Sequence, residues 1–334
     1  MDKNPSRNIK KILVIRFHAF GDTIITLPYI NGIRSKYPKA KIDLLTTERV
    51  AIIPRNIHLF DGVIGVAGGM NAKQIAFHTL LTIPKLWRKK YDQIVDLQND
   101  RKSNLIFSIL GFKNRNLFNK YGKIFCGLRY QNAIESALGQ QIEPNFAIQH
   151  QDLTLGNKKL DAKGFRVGEK LIVLNPAGFY KNRNWPIENY LQLIQIIKLQ
   201  FQNPFKILLL GDQRIYEKSQ QMEKAFPELV INLVNQTTQL EAYSILKKVD
   251  VIISEDSGLA HMAWTQGVKT LLMLGSSPSY WISVPHEHVI NLNSSDLACG
   301  DCFSDTCLHG DVRCLTRYSP DYVFGLVQPW LNAV

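Results

Sequence analysis

Polar residues that could support catalysis follow a short apolar run near the start of the chain. Residues 12–15 are Ile-Leu-Val-Ile, and the loop 17–23 behind them ends in Gly21, Asp22 and Thr23. Gly21 permits a tight turn, and Asp22 stands where the N-cap of a following helix is expected. A carboxylate there can take a proton from a substrate hydroxyl or simply cap the helix, and the loop alone favours the cap. Because the loop lacks a G-x-G-x-x-G pattern, it gives little support to a dinucleotide site.

A second loop, residues 175–186, carries glycine and positive charge ahead of another helix. It reads Asn-Pro-Ala-Gly-Phe-Tyr-Lys-Asn-Arg-Asn-Trp-Pro and contains Gly178, Lys181 and Arg183. Backbone N–H groups at a helix start attract anions, and the two cations would strengthen such a site. The loop therefore indicates an anion site, with a solvated loop that binds nothing as the alternative.

Residues 254–261, Ser-Glu-Asp-Ser-Gly-Leu-Ala-His, form a third turn between an apolar run and a helix. Ser257 and Gly258 are expected at the helix start, and Asp256 and His261 are five residues apart. A histidine satisfied inside the fold is the alternative for His261. Similar polar pairs follow two further apolar runs: Gly211-Asp212 and Gly275-Ser276. Together these turns predict a polar, glycine-lined rim suited to a nucleotide diphosphate.

Four of the five cysteines crowd into a short segment with the spacing Cys299-x2-Cys302-x4-Cys307-x6-Cys314. The segment is compact enough to bind zinc, but the second Cys-x2-Cys pair that is usual in such sites is absent. A structural zinc site, a redox-labile disulfide set and partly buried thiols all remain open. We expect no catalytic metal there, because four cysteine ligands leave no open position for substrate.

Apolar runs of strand length alternate with segments of helical periodicity in both halves of the chain. The runs are residues 12–15, 42–45, 63–66, 94–97, 171–174, 207–210, 251–253 and 270–274. Strands separated by helices form parallel sheets with right-handed crossovers, and ligands bind beyond the carboxyl ends of such strands. We therefore predict an α/β fold with two doubly wound domains, residues 1–165 and residues 166–334. The polar stretch 140–168 is the expected linker.

The charge is divided unevenly between the two halves. Residues 1–165 contain 26 Lys and Arg against 12 Asp and Glu, and residues 166–334 contain 14 against 16. A basic half suggests an anionic partner such as a phosphorylated substrate, a membrane surface or nucleic acid, with solubility charge as the alternative. The composition excludes disordered and fibrous classes. Neither a signal peptide nor a membrane-spanning apolar stretch is apparent, so we expect a cytoplasmic protein.

Together, the motifs resemble glycosyltransferase family 9, the lipopolysaccharide heptosyltransferases, over nearly the whole chain. The resemblance rests on five ordered segments: residues 12–16 with 21–22, residues 26–28, residues 175–178 with 183–186, residues 254–261, and the cysteine run. It implies the GT-B architecture, in which two Rossmann-like domains face each other across a cleft. The first domain would bind the acceptor and the second the nucleotide sugar.

The resemblance implies inverting sugar transfer that needs neither a catalytic metal nor another cofactor. It assigns Asp22 the role of the base that takes the acceptor proton, in place of a mere cap. Cations and N–H groups would stabilise the departing nucleoside diphosphate. Arg183 stands where the family has a lysine, which keeps the charge but changes its geometry. The implied donor-binding residues are Gly178, Lys181, Arg183, Glu217, Asp256, Ser257, Gly258 and His261, with Glu217 facing the ribose.

ADP-heptose is the donor that the resemblance implies. Gly178 and Phe179 replace hydroxyl residues that some relatives use near the phosphates, which leaves a different nucleotide sugar open. The implied acceptor is an anionic glycolipid of the lipopolysaccharide core, met by the basic first domain through peripheral contact with the inner membrane. One alternative is another GT-B enzyme, such as a sugar-nucleotide epimerase. The other is a non-catalytic basic module for nucleic acid, which we do not expect because the basic residues form no recognisable nucleic-acid motif.

Overall fold

The computed structural model describes residues 9–17, 19–67, 72–112, 118–152, 154–178 and 183–333. The chain divides into two compact units, Met1–Gln151 and Asp152–Val334. Within the described residues, no helix is both long enough and apolar enough to cross a membrane.

The first unit is built on a parallel sheet. Its strands and α-helices are β1 (Lys11–Ile15), α1 (Phe20–Lys36), β2 (Lys41–Thr47), β3 (Gly62–Val66), α2 (Ala72–Lys89), β4 (Gln93–Asp96), α3 (Arg101–Ile109) and α4 (Cys126–Leu138). The strand order is β3-β2-β1-β4. β1 is fully buried after its first residue, as expected of a central parallel strand covered on both faces. The chain therefore turns from one side of the sheet to the other between β1 and β4, and such a switch point opens a crevice for ligands.

The second unit has the longer sheet. Its strands and α-helices are α5 (Thr154–Ala162), β5 (Lys170–Asn175), α6 (Ile187–Gln200), β6 (Phe205–Leu209), α7 (Tyr216–Ala225), β7 (Val230–Asn232), α8 (Gln239–Ile245), β8 (Val251–Glu255), α9 (Gly258–Trp264), β9 (Lys269–Met273), α10 (Ser279–Ile282), β10 (Val289–Leu292), α11 (Arg313–Thr316) and α12 (Pro320–Asn332). All pairs are parallel, in the order β10-β9-β8-β5-β6-β7. The switch point lies between β5 and β8, so the two loops that follow these strands meet at one crevice.

The stretch predicted as the linker, residues 140–168, contributes contacts to both units. Asn145 donates its N–H to the carbonyl of Pro28 over 2.9 Å and accepts from the side chain of Asn31 over 3.0 Å, so this stretch lies along α1. A Cβ on Gly32 would stand 2.1 Å from the carbonyl oxygen of Glu143, which explains the glycine at this crossing.

The division between the units differs from the boundary expected at residue 165. α5 packs against α8, and Lys159 forms an ion pair with Glu241 at 3.1 Å. Gly156 allows this approach, because a Cβ there would lie 2.9 Å from the backbone nitrogen of Ile245. α5 therefore belongs to the second unit.

Candidate active site

Asp22 lies in the first turn of α1, beyond the carboxyl end of β1. The N-cap of α1 is Ala19, which makes Asp22 the third helical residue and corrects the expectation that Asp22 itself is the cap. Its Oδ2 accepts the N–H of Ala19 over 3.2 Å, as an acidic residue at this position often does. The carboxylate therefore still satisfies one free N–H group at the helix start while lying at the switch point of the sheet.

Two residues from other elements orient the Asp22 carboxylate. Arg16, just past β1, places its Nη2 2.7 Å from Oδ2, and Tyr130 of α4 donates its hydroxyl to Oδ1 over 3.4 Å. The Asp22 side chain is 44% exposed whereas that of Arg16 is 6% exposed. A buried cation thus holds a carboxylate that solvent and substrate can reach.

Aromatic rings fix the position of Arg16. Its guanidinium lies 5.7 Å from the ring centroid of Phe118 and 5.2 Å from that of Tyr130, within the range of cation–π attraction. The two rings stack with their centroids 4.8 Å apart. Burial raises the pKa of Tyr130 well above its ordinary value, so its hydroxyl stays a donor. Burial, together with the charge of Asp22, raises the pKa of the nearby Cys126 thiol to about 12, so this thiol is no nucleophile near neutral pH.

A polar cavity of about 610 Å³ opens next to these rings, beyond the end of β4. Phe118 forms part of its wall, and Asn99 donates its side-chain N–H to the carbonyl of Phe118 over 2.9 Å. The remaining lining includes Arg101, Lys120 and the exposed ring of Tyr121. Asp100 and three asparagine amides complete the lining, so the cavity offers hydrogen-bond donors and acceptors suited to a polar ligand such as a sugar.

In the second unit, the ends of β5 and β8 are joined by side-chain hydrogen bonds. Asn175 donates to the hydroxyls of Ser254 over 2.9 Å and Ser257 over 2.7 Å. Ser257 is the N-cap of α9, and its hydroxyl accepts the N–H of Ala260 over 3.2 Å. The Ser257 hydroxyl is therefore used inside the fold. Gly258 is the first residue of the helix and has no side chain. This turn therefore presents backbone N–H groups to an anion.

Asp256 is the centre of a polar cluster beyond β8. Its Oδ2 accepts from the hydroxyl of Ser277 over 2.6 Å and from Nη1 of Arg183 over 3.3 Å. Its Oδ1 lies 3.8 Å from Nε2 of His261. Trp264 donates its indole N–H to Nδ1 of His261 over 3.1 Å, which puts the proton of a neutral His261 on Nε2, facing the carboxylate. Three residues predicted for the donor site, Arg183, Asp256 and His261, thus come together.

Arg183 is buried within this cluster, which does not fit the alternative of a solvated loop. Its Nε donates to the hydroxyl of Ser276 over 3.2 Å, and its guanidinium lies 5.2 Å from the ring centroid of Phe303. The ion pair with Asp256 compensates the buried charge. Arg183 can therefore act on a diphosphate only from its place beside Asp256.

Glu255 closes the loop between β5 and α6. Its buried carboxylate accepts the N–H groups of Gly178 and Trp185, each over 2.6 Å, and the hydroxyl of Tyr190 over 3.3 Å. Desolvation raises the pKa of Glu255 to about 7, although Lys218 and the two N–H donors act in the opposite direction. The neighbouring Asp256 can be identified in the sequence as a candidate site residue. Nothing in the surrounding sequence indicates that Glu255 is buried.

Gly178 is required for steric reasons. A Cβ at this position would lie 2.0 Å from the carbonyl oxygen of Arg183. Its N–H is directed at Glu255 rather than outward. The structure therefore gives Gly178 a part in closing the loop, with its N–H donated to the Glu255 carboxylate.

Two further residues predicted for the donor site are Lys181 and Glu217. Lys181 lies outside the described residues. Glu217 is exposed in the first turn of α7, which follows β6. The site that the described residues support is thus centred on Asp256, and Glu217 lies on the helix that follows the neighbouring strand β6.

The four cysteines of the run are not cross-linked. Cys299, Cys302, Cys307 and Cys314 form no disulfide, and burial together with the charges of the other three raises the pKa of Cys314 to about 11. In the described ranges, no set of three or more His, Cys, Asp or Glu side chains is arranged to hold a metal ion.

Comparison with known proteins places these features in a family. The model of glycosyltransferase family 9 (heptosyltransferase) matches residues 82–313. Lipooligosaccharide heptosyltransferase 2 of Campylobacter jejuni subsp. jejuni serotype O:2 is 29% identical over 230 residues, which cover 66% of this chain and 69% of that protein.

Two solved structures share the fold over almost their full length. One is a family 9 glycosyl transferase from Veillonella parvula DSM 2008, with a TM-score of 0.74, 16% identity, and coverage of 98% of this chain and 99% of that one. The other is ADP-heptose lps heptosyltransferase II of E. coli, with a TM-score of 0.70, 18% identity, and coverage of 96% and 98%. The predicted fold class, GT-B with two doubly wound parallel sheets, is confirmed. Since the family model matches more than half of the chain, the protein belongs to glycosyltransferase family 9 and is a glycosyltransferase.

Proposed function

We propose that the protein is an inverting heptosyltransferase that moves heptose from ADP-heptose to an anionic glycolipid acceptor of the lipopolysaccharide core. The observation that carries the proposal is the exposed Asp22 carboxylate, held by the buried Arg16 at the switch point of the basic unit. The names of its relatives, a lipooligosaccharide heptosyltransferase and an ADP-heptose transferase, support the donor and the acceptor class.

In this proposal Asp22 is the base. The acceptor hydroxyl gives its proton to the carboxylate while its oxygen forms a bond to the anomeric carbon of the donor sugar. The bond between that carbon and the diphosphate oxygen breaks in the same step, so ADP leaves and the anomeric configuration inverts. Arg16 and Tyr130 keep the carboxylate oriented, which supports efficient proton transfer.

The second unit binds the donor. The backbone at the start of α9 and the cluster of Arg183, Asp256 and His261 lie at the switch point of the longer sheet, where nucleotides bind in such folds. The diphosphate gains charge as it leaves, and N–H groups together with the Arg183 guanidinium stabilise that charge. Glu217 and Lys181 extend the proposed donor site to the ribose and the phosphates.

The acceptor binds to the first unit in this proposal. The polar cavity beside Phe118 offers Arg101 and Lys120 to a phosphate or carboxylate of the acceptor. Phe118 also packs against Tyr130, which contacts Asp22, so an acceptor held there has the base close by. Such an acceptor is embedded in the inner membrane, and the enzyme would work at the cytoplasmic face as a peripheral protein.

An acceptor-dependence assay tests the proposal against its rivals. Purified protein is incubated with ADP-heptose and heptose-deficient lipopolysaccharide, and both ADP and the glycosylated acceptor are quantified. Release of ADP that requires acceptor, with one heptose added per ADP, supports transfer. Conversion of the sugar nucleotide without acceptor supports an epimerase instead. A protein that turns over neither but binds nucleic acid with a steep salt dependence would be the basic binding module.

A further inference from the structure

α2 presents large apolar side chains to solvent. Phe77, Leu80, Leu81 and Trp87 are all exposed, whereas Leu86 is fully buried in the core of the first unit. At 100° per residue, the four exposed side chains lie on the side of the helix opposite Leu86. Among the described side chains of α2, these rings and branched chains remain in water, so this face is available for a partner.

All the charged residues of α2 itself are Lys or Arg. Between Asp61 and Asp92 the sequence contains five Lys and Arg and no Asp or Glu, and between Asp100 and Glu135 it contains seven and none. On α2 itself, Lys85 and Arg88 are exposed. Their spacing from Leu81, four and seven residues, places both cations on the apolar side of the helix. The partner of this face must therefore offer apolar contact and negative charge together.

The neighbouring helix α3 also exposes apolar side chains. It packs against α2, and Ile106 and Phe107 enter the same core as Leu86. Leu105 and Ile109, one helical turn apart, are exposed. A hollow of about 360 Å³ at the end of α2 is lined by apolar side chains together with Arg88 and Lys90.

We propose that the exposed face of α2, continued by Leu105 and Ile109 of α3, docks the protein on an anionic lipid bilayer. Apolar side chains inserted at the headgroup level and cations set among them are the combination by which interfacial helices bind such membranes. Trp87 suits this location, because indole rings concentrate at the membrane–water interface. A second copy of the chain would bring the same cations against each other, and nucleic acid would gain little from aliphatic side chains. The inference rests on the proposed function in one respect, which is that the acceptor resides in the membrane.

Vesicle sedimentation of the full chain tests this surface. The probes are vesicles of phosphatidylcholine alone and vesicles of phosphatidylcholine with phosphatidylglycerol, at low and high salt. We expect binding to the anionic vesicles at least ~10-fold tighter than to the neutral ones, weakened by salt. Equal binding to both compositions, or no binding to either, overturns the proposal.

Matched variants locate the surface. The double variant Phe77→Ser with Leu81→Ser should lower binding to the anionic vesicles at least ~10-fold. The double variant Lys85→Gln with Arg88→Gln should bind anionic and neutral vesicles almost equally. The controls change equally exposed residues of the second unit: Val167→Ser with Leu199→Ser, and Lys198→Gln with Lys224→Gln. Leu81 and Leu199 are 61% and 66% exposed. If the control pairs lower binding as much as the α2 pairs do, this face is not the docking surface.

Two further measurements separate this proposal from the alternatives. Sedimentation velocity without vesicles reports self-association, and a dimer that the α2 variants abolish would make the face an interface between copies and overturn the membrane proposal. Transfer to detergent-dispersed acceptor should be unchanged in the α2 variants, since the residues changed lie outside the proposed site. Vesicle binding without transfer activity would overturn the proposed function but leave the docking surface intact.

Discussion

Nη2 of Arg16 lies 2.7 Å from Oδ2 of Asp22, and the arginine is buried while the carboxylate is half-exposed. Arg16 also donates through Nη1 to the carbonyl of Leu97, the residue after β4, over 2.5 Å. The guanidinium thus links the loops that follow β1 and β4, the two strands that flank the switch point. The position of the candidate base is therefore set by a contact that joins the ends of these two strands.

Asp22→Asn should abolish transfer and leave donor affinity nearly intact. The amide oxygen can still accept the N–H of Ala19, but an amide is a very poor base, and loss of a general base costs ~10²–10⁴-fold in rate. Turnover is measured as acceptor-dependent ADP release, and donor affinity by calorimetry. A variant that keeps more than about a tenth of the wild-type rate, with the same melting temperature, would exclude Asp22 as the base.

Arg183→Ala should weaken both the fold and donor binding. Asp256 would remain as a buried carboxylate without its cation, and breaking such a pair costs about 3–5 kcal/mol of unfolding free energy. Arg183→Lys should recover part of the stability and part of the affinity, because it restores charge without the planar fork. Urea denaturation and calorimetric titration with nucleoside diphosphate measure the two effects.

Ser277→Ala is the matched control for Arg183. It removes one hydrogen bond to the same carboxylate oxygen and keeps the ion pair, so the expected loss is about 1.5–3 kcal/mol, smaller than that of Arg183→Ala. Unchanged diphosphate affinity in Arg183→Ala would remove this residue from the donor site. Unchanged stability would contradict the ion pair.

The fold was predictable because its strands are continuous apolar runs of buried residues. β1 and β5 follow directly from the runs at 12–15 and 171–174, and the glycines and carboxylates behind them mark the carboxyl ends of the strands. The domain division was less accessible. α5 is short and mostly exposed, so its packing against the second unit leaves little trace in the sequence pattern.

From sequence spacing alone, the proximity of site residues was predictable only within one short segment. Asp256 and His261 are five apart and do meet. Tyr130 contacts Asp22 but lies 108 residues further along the chain. No periodicity in the sequence relates two positions that far apart. Glu255 was passed over because a buried acid that serves backbone N–H groups looks the same in sequence as an exposed one.

Transfer should proceed without any divalent ion. The displacement assigned above uses Asp22 for the proton and N–H groups with Arg183 for the leaving diphosphate, so no step needs a Lewis acid. EDTA should leave initial rates unchanged, even if elemental analysis finds zinc on the cysteine run and the melting temperature drops. If EDTA stops turnover of protein that stays folded, and Mg²⁺ or Mn²⁺ restores it, the metal-independent mechanism fails.

Glu255 should make the unfolding free energy fall as pH rises between about 4.5 and 7. Burial raises the pKa of Glu255 from 4.5 to about 7, so in this window the folded protein keeps a proton that the unfolded chain has released. Folding is then favoured at the acid end, and this contribution is lost as the pH passes the folded-state pKa. At about 1.4 kcal/mol for each pH unit of the gap, the loss amounts to about 3 kcal/mol.

Urea denaturation of wild type and Glu255→Gln from pH 5 to pH 8 isolates this contribution, because all other groups titrate alike in both proteins. The stability of the wild type relative to Glu255→Gln should decline with rising pH and level off above pH 7. Glu188→Gln, which changes an exposed acid of α6 in the same unit, should differ from wild type by a constant amount. A constant difference for Glu255→Gln as well would mean that the carboxyl is ionised in the folded state throughout, held by the N–H groups of Gly178 and Trp185 and the charge of Lys218.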